Sequence, residues 1–231
     1  MRHFFKMAIA LAIPALVLAG CGTDHSWNQK LTVKVDTPNG ERVGAAVTRV
    51  SVTVGRQFAT DTILSFGVRG EATVVDLGEG KYLFALLSNS GPGNTEYLVD
   101  NALGHLIKIE QNQDEVSRLN AKYSAYGNLR GAVPVPSKNY PLLVTFTDIN
   151  SPKSVREVKS NNLANNFGAG YRLKAVTLEI TDEEVTAGKI KSTLKWIDDY
   201  RGLYLDGGGN PNPQNNNTAN HIGDANFRTG E

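Results

Sequence analysis

Leu31, Val33 and Val35 alternate with Thr32, Lys34 and Asp36, and Val50, Val52 and Val54 alternate with Arg49, Ser51 and Thr53. Successive side chains of a strand point to opposite faces, so this period of two demands two half-buried β-strands. Pro38, Asn39 and Gly40 turn the chain between them. Glu71 to Leu77 and Lys81 to Leu87 flank Gly78, Glu79 and Gly80, the strongest hairpin signal present, because glycine takes positive φ at little steric cost. Tyr82 to Leu87 is apolar without alternation, which predicts an interior strand covered on both faces. Strand character returns at Leu142 to Asp148, where Leu142, Val144 and Phe146 oppose Leu143, Thr145 and Thr147. In Tyr171 to Thr181, Tyr171 and Leu173 share one parity while Val176, Leu178 and Ile180 share the other. That phase change predicts a β-bulge near Lys174 and Ala175.

Helical signals are short. Asn94 or Thr95 caps a segment through Leu98, Ala102 and Leu103 that stops at Gly104, and Asp114 to Tyr123 places Val116, Leu119 and Tyr123 on one stripe. Asn161 to Phe167, closed by Gly168, supplies two more turns, and Gly127 to Tyr140 reads as loop. With 231 residues, 40% of them hydrophobic, the chain can bury one core. The expected architecture is mainly β (α+β), an antiparallel β-sandwich or curved sheet with two or three short helices. It occupies residues 31 to 205, with a helical insert at about 94 to 125. Residues 206 to 231 are rich in glycine and asparagine, with Gly207 to Gly209 and Asn215 to Asn217, and read as a flexible tail too poor in apolar surface to offset chain entropy.

The N-terminus has three zones: a basic start with Arg2 and Lys6, an apolar run from Met7 to Ala19, and small residues ending at Cys21. This is the layout of a secretion signal. The run of 13 residues contains Pro14 and falls short of the roughly 20 that a membrane-spanning helix needs. Leu18, Ala19, Gly20 and Cys21 resemble the lipobox of bacterial lipoproteins. That resemblance implies cleavage between Gly20 and Cys21 and acylation of the Cys21 thiol, with residues 21 to 30 as a lipidated tether. Gly22, where enteric lipoproteins retained at the inner membrane carry aspartate, implies an outer-membrane address facing the periplasm. Cys21 is the sole cysteine, which excludes an intramolecular disulfide and any multi-cysteine zinc site. Removing residues 1 to 20 moves the formal net charge from +1 to −1, a balance that offers nothing to nucleic acid.

His25 to Val33 (HSWNQKLTV), Arg69 to Leu87, Tyr140 to Glu157 (YPLLVTFTDINSPKSVRE), Phe167 to Val185 and Phe227 to Glu231 resemble a family of uncharacterised bacterial lipoproteins. The resemblance covers most of the chain after Cys21. It implies the lipid anchor and carries no activity, cofactor or catalytic residue with it.

Chemistry-bearing residues are scattered. After Cys21 the histidines are His25, His105 and His221, with no triad spacing among them. Ser88 and Ser90 lie in SNSGPG without a GxSxG elbow and read as a turn. The acidic runs Asp182 to Glu184 and Asp198 to Asp199 suit solvated loops as well as a metal or a glycosidase pair. Asp206 and the glycines after it lack the ligand alternation of an EF-hand, and no glycine-rich phosphate loop follows a strand, so neither calcium nor nucleotide is expected. Trp196, Tyr200 and Tyr204, spaced by four, would share a helical face as a candidate binding surface for a sugar or protein. No cofactor and no metal is expected. The leading expectation is a non-enzymatic binding or structural module of the cell envelope, held to a membrane by its lipid and meeting an envelope protein or cell-wall partner. Two alternatives stand beside it: a periplasmic hydrolase using Ser90 or the acidic runs with His105, and a lipoprotein component of a secretion or envelope complex.

Overall fold

A computed structural model describes residues 22–57, 61–87, 94–110, 112–212 and 214–230. Gly20 and Cys21 lie outside these residues, as do Ser88 and Ser90. The strands are β1 (Thr23–Thr37), β2 (Gly40–Gln57), β3 (Asp61–Glu71), β4 (Thr73–Gly78), β5 (Lys81–Ala85), β6 (Val133–Pro134), β7 (Leu143–Phe146), β8 (Val155–Glu157), β9 (Arg172–Thr181) and β10 (Arg228–Thr229). The helices are α1 (Thr95–Leu103), α2 (Glu115–Tyr126), α3 (Ala164–Phe167) and α4 (Lys189–Thr193). The strands form two open antiparallel sheets, one of six in the order β10-β3-β2-β1-β9-β6 and one of four in the order β4-β5-β7-β8. The molecule is therefore mainly β, with short helices, as the alternating runs predict.

β1 and β2 form a long hairpin in which Thr37 pairs with Gly40 across Pro38 and Asn39. Leu31, Val33, Val35, Val50, Val52 and Val54 all point into the core, as their parity requires. The strand begins well before Leu31, however. Residues 23 to 30 pair with Val54 to Val47, so they are ladder rather than tether. The correction has a physical cause: the segment looks polar, yet Trp27 and Gln29 continue the inward parity of Leu31. Gln29 is 0% exposed, and both its amide oxygen and its amide nitrogen are hydrogen-bonded. Trp27 Nε1 donates to Gln29 Oε1 at 3.0 Å, and Gln29 Nε2 donates to the Thr95 carbonyl at 2.8 Å.

β9 contains the expected bulge. Ala175 pairs with Lys34 and Leu173 with Val35, so Lys174 is the extra residue, and it lets Leu173 and Val176 both face the core. The β4–β5 hairpin turns on Glu79 and Gly80, both at positive φ, with a register shift at Gly78, so the loop is one residue shorter than its glycines suggest.

The small sheet lies over the large one. β4 crosses β2 so closely that a Cβ on Gly44 would sit 2.2 Å from the Val74 carbonyl oxygen, which leaves room there for glycine alone. Val75, Leu77, Leu83, Ala85 and Leu143 face the large sheet and α1 and α2, whereas Val74, Phe84, Leu86, Val144 and Phe146 face the other way. That second face is covered by Ile190, Leu194, Ile197, Leu205, Ala219, Ile222 and Phe227. The absence of alternation in Tyr82 to Leu87 is thus explained by burial on both faces.

Residues 206 to 230 accordingly belong to the folded body, a second correction. Phe227 is 0% exposed, its carbonyl accepts from Ala72 N at 2.7 Å, and β10 pairs with Gly70 and Glu71 of β3. The asparagines that suggest disorder are hydrogen-bonded to the local backbone. Asn220, 1% exposed, accepts from Asn212 N at 3.0 Å and donates to the Asn212 carbonyl at 2.9 Å, and Asn217 accepts from Ala219 N at 3.1 Å. Asparagine side chains here replace the ladder bonds that a strand or helix would supply.

Candidate functional site

The end of the large sheet where β1 begins is built from three strands and a helix. Thr23 at the start of β1 pairs with Val54 of β2, which pairs with Leu64 of β3. α2 lies across the inner side of these strands. Its N-cap, Asp114, forms an ion pair with Arg56 at 2.6 Å, and Glu115 accepts from Thr62 at 2.9 Å. The Ser117 hydroxyl, with its own amide and Arg56 behind it, holds the Asp114 carboxyl below the usual range. His25 is occupied in this packing, its Nε2 lying 2.8 Å from Asn120 Oδ1. Trp27 stacks on Tyr123 with planes 4° apart and meets Tyr126 edge-on. The Tyr126 hydroxyl donates to Asp100, which also pairs with Lys122 at 2.8 Å, so α1 and α2 are tied together. Burial raises both phenols, Tyr123 to about 12, and so keeps the Tyr126 hydroxyl protonated as the donor to Asp100.

Among the described residues, the remaining sequence candidates do not converge. His105 is exposed in the turn after α1, and no hydrogen bond or ion pair joins it to Asp182 among the described residues. Asp182 faces Arg130 at 3.6 Å, and Glu183 binds Lys30 at 2.6 Å. Asp198 binds Lys191 at 2.6 Å and Arg228 at 2.7 Å, and these hydrogen bonds hold its carboxyl down at about 2. Asp206 accepts from Gly208 N in a tight turn, and His221 lies 2.7 Å from the Asn215 carbonyl. Among the described residues no group of three histidine, cysteine or acidic side chains could hold a metal.

Trp196, Tyr200 and Tyr204 do not share a helix. Trp196 precedes the 3-10 turn of Ile197–Tyr200 and donates from Nε1 to the Ile149 carbonyl at 2.8 Å, with its ring 5.5 Å from Phe146. Tyr200 packs edge-on against Trp196 at 5.4 Å, and Tyr204 bridges to Gly223. The first two therefore serve mainly to cover the small sheet.

Sequence reasoning missed Glu71. It is 2% exposed and accepts from the backbone N–H of Gly188, Lys189 and Ile190 at 2.7, 2.8 and 3.1 Å, capping α4 from 117 residues away. No local pattern could reveal so distant a cap. Also missed is a cleft of about 550 Å³ lined by Lys138, Tyr140, Glu157, Lys159 and Asn161, residues that carry two ammonium groups and one carboxylate beside hydroxyl and amide groups. No protein-family model, curated protein or solved structure matches the chain.

Proposed function

We propose that the chain is a lipid-anchored protein of the bacterial cell envelope, fastened through Cys21 and acting as a non-enzymatic binding or structural module. The observation that carries this reading is the junction between motif and fold: the sequence LAGC ends one residue before Gly22, and β1 begins at Thr23. An extended residue spans at most about 3.6 Å, so the Cys21 Cα cannot lie farther than about 7 Å from that of Thr23. A diacylglyceryl group there would hold the body against a bilayer surface with no free linker between them. Each buried CH₂ adds about 0.8 kcal/mol, so a multiply acylated terminus stays attached until cut or carried away. Gly22 favours the outer membrane, facing the periplasm. The dispersal of His105, Asp182 and Asp198 over separate ion pairs and turns favours a binding role over hydrolysis, and the cleft around Lys138 and Lys159 is the surface we assign to an anionic or hydroxylated envelope partner.

The test is metabolic labelling with a fatty acid. Label should enter the native chain and be absent from Cys21→Ser, which should also accumulate uncleaved. Incorporation that persists in Cys21→Ser contradicts the proposal.

A further inference from the structure

Among the described residues β3 is an edge strand left open over most of its length. β10 pairs only with Gly70 and Glu71, and among the described residues no main-chain hydrogen bond reaches the outward side of Thr62 to Phe66. The direction of the open groups follows from Thr229, whose hydroxyl donates to the Val68 carbonyl at 2.7 Å from the β10 side. Val68 thus turns its carbonyl away from β2, and by the alternation of an antiparallel ladder Phe66, Leu64 and Thr62 do the same with their N–H and C=O groups. Natural edges of this length are usually blunted by lysine, proline, a bulge or an inward charge. From Thr62 to Val68 the strand has none of these, and it exposes Ile63 (38%) on one face and Leu64 (39%) on the other.

We infer that this edge pairs with the same edge of a second copy of the chain, joining two six-stranded sheets across a two-fold axis at Leu64. The register is set by three facts. Residues opposite one another must share a face, the open groups belong to the even-numbered residues, and Thr229 already occupies Val68. Centring on Leu64 meets all three. Leu64 then faces Leu64 of the second copy and Thr62 faces its Phe66, both on the inner face, while Ile63 faces its Ser65 on the outer face. Asp61 falls opposite Gly67, diagonal to Arg69 of the second copy, within reach of a long side chain. Asp61 and Arg69 stand at opposite ends of the strand, so antiparallel pairing of two copies sets unlike charges, not like ones, near each other at both ends of the contact. The contact is isologous and closes at two copies, so it consumes the open edge without propagating.

The experiment is sedimentation of the full chain in detergent, with two variants. The native chain should be a dimer. Leu64→Pro removes an N–H that β2 does not use, so it should leave the thermal transition nearly unchanged and weaken self-association by roughly tenfold or more, two bonds being lost per dimer. In a Cys21→Ser chain, which has no other cysteine, Leu64→Cys should oxidise to a covalent dimer, since facing Cα atoms lie about 5.5 Å apart. Ser65→Cys should not, because its counterpart is a diagonal neighbour at roughly 7–8 Å. A monomeric native chain, a dimer indifferent to Leu64→Pro, or crosslinking through Ser65→Cys in place of Leu64→Cys would each overturn the inference.

Discussion

At the scale of single residues, the most consequential position is one with no surface presence. The Glu71 carboxylate takes three backbone donors that would otherwise be orphaned at the start of α4, a helix of five residues too short to stand alone. Hydrogen bonds to a charged group are worth about 1.5–3 kcal/mol, and buried donors left unpaired pay their full desolvation. Glu71→Ala should therefore lower unfolding free energy by about 3 kcal/mol in a denaturant titration, and a loss under about 1 kcal/mol would mean that water replaces the carboxylate without cost. Gln29 and Asn220 are also buried amides held by specific partners, Gln29 by Trp27 and the distant Thr95 carbonyl and Asn220 by the backbone of Asn212 within its own loop. Composition marks such residues as polar and therefore outside. Only the positions of Thr95 and Asn212 explain why they are inside.

At the scale of elements, local patterning was reliable where one face of a strand meets the core. The parities of β1, the second half of β2 and both halves of β9 were legible residue by residue, and so was the bulge between the two phases of β9. β3 was not, because an edge strand half exposed on both faces lacks the alternation that burial imposes. The 23–30 part of β1 is hard to see in the sequence for a different reason, since buried Gln29 and the outward Asn28 and Lys30 dilute its apolar signal. The bulge offers a direct test of the phase argument. Removing Lys174 leaves Leu173 two positions from Val176 in a regular strand, still facing inward, at the cost of exposed ion pairs to Glu41 and Asp36. That deletion should cost about 1 kcal/mol or less. Removing Thr177 instead would turn one side of β9 inside out and should prevent folding. Equal effects of the two deletions, read from thermal melts, would contradict the assigned register.

At the scale of the whole molecule, three layers share one small sheet. The large sheet and the α1–α2 pair cover its inner face, and the chain from Ile190 to Phe227 covers the outer one. The outer layer was invisible in composition because its apolar residues are few and far apart, while the turns between them are held by asparagine side chains. Truncation after Asp206 should expose Phe84, Val144 and Phe146 and yield an insoluble chain, whereas a dispensable tail would be lost without effect on solubility or melting. The candidate site divides in the same way. The LAGC motif was readable at once because it is contiguous, while the cleft of Lys138 and Lys159 and the open edge of β3 arise only when distant segments meet. The most direct measurement of the central claim is the intact mass of the N-terminal peptide from the envelope-associated protein. Acylated Cys21 as the first residue, followed by Gly22 and the β1 sequence, is the predicted result. A peptide that continues upstream through Gly20, or that begins at Cys21 with a free thiol, would contradict it.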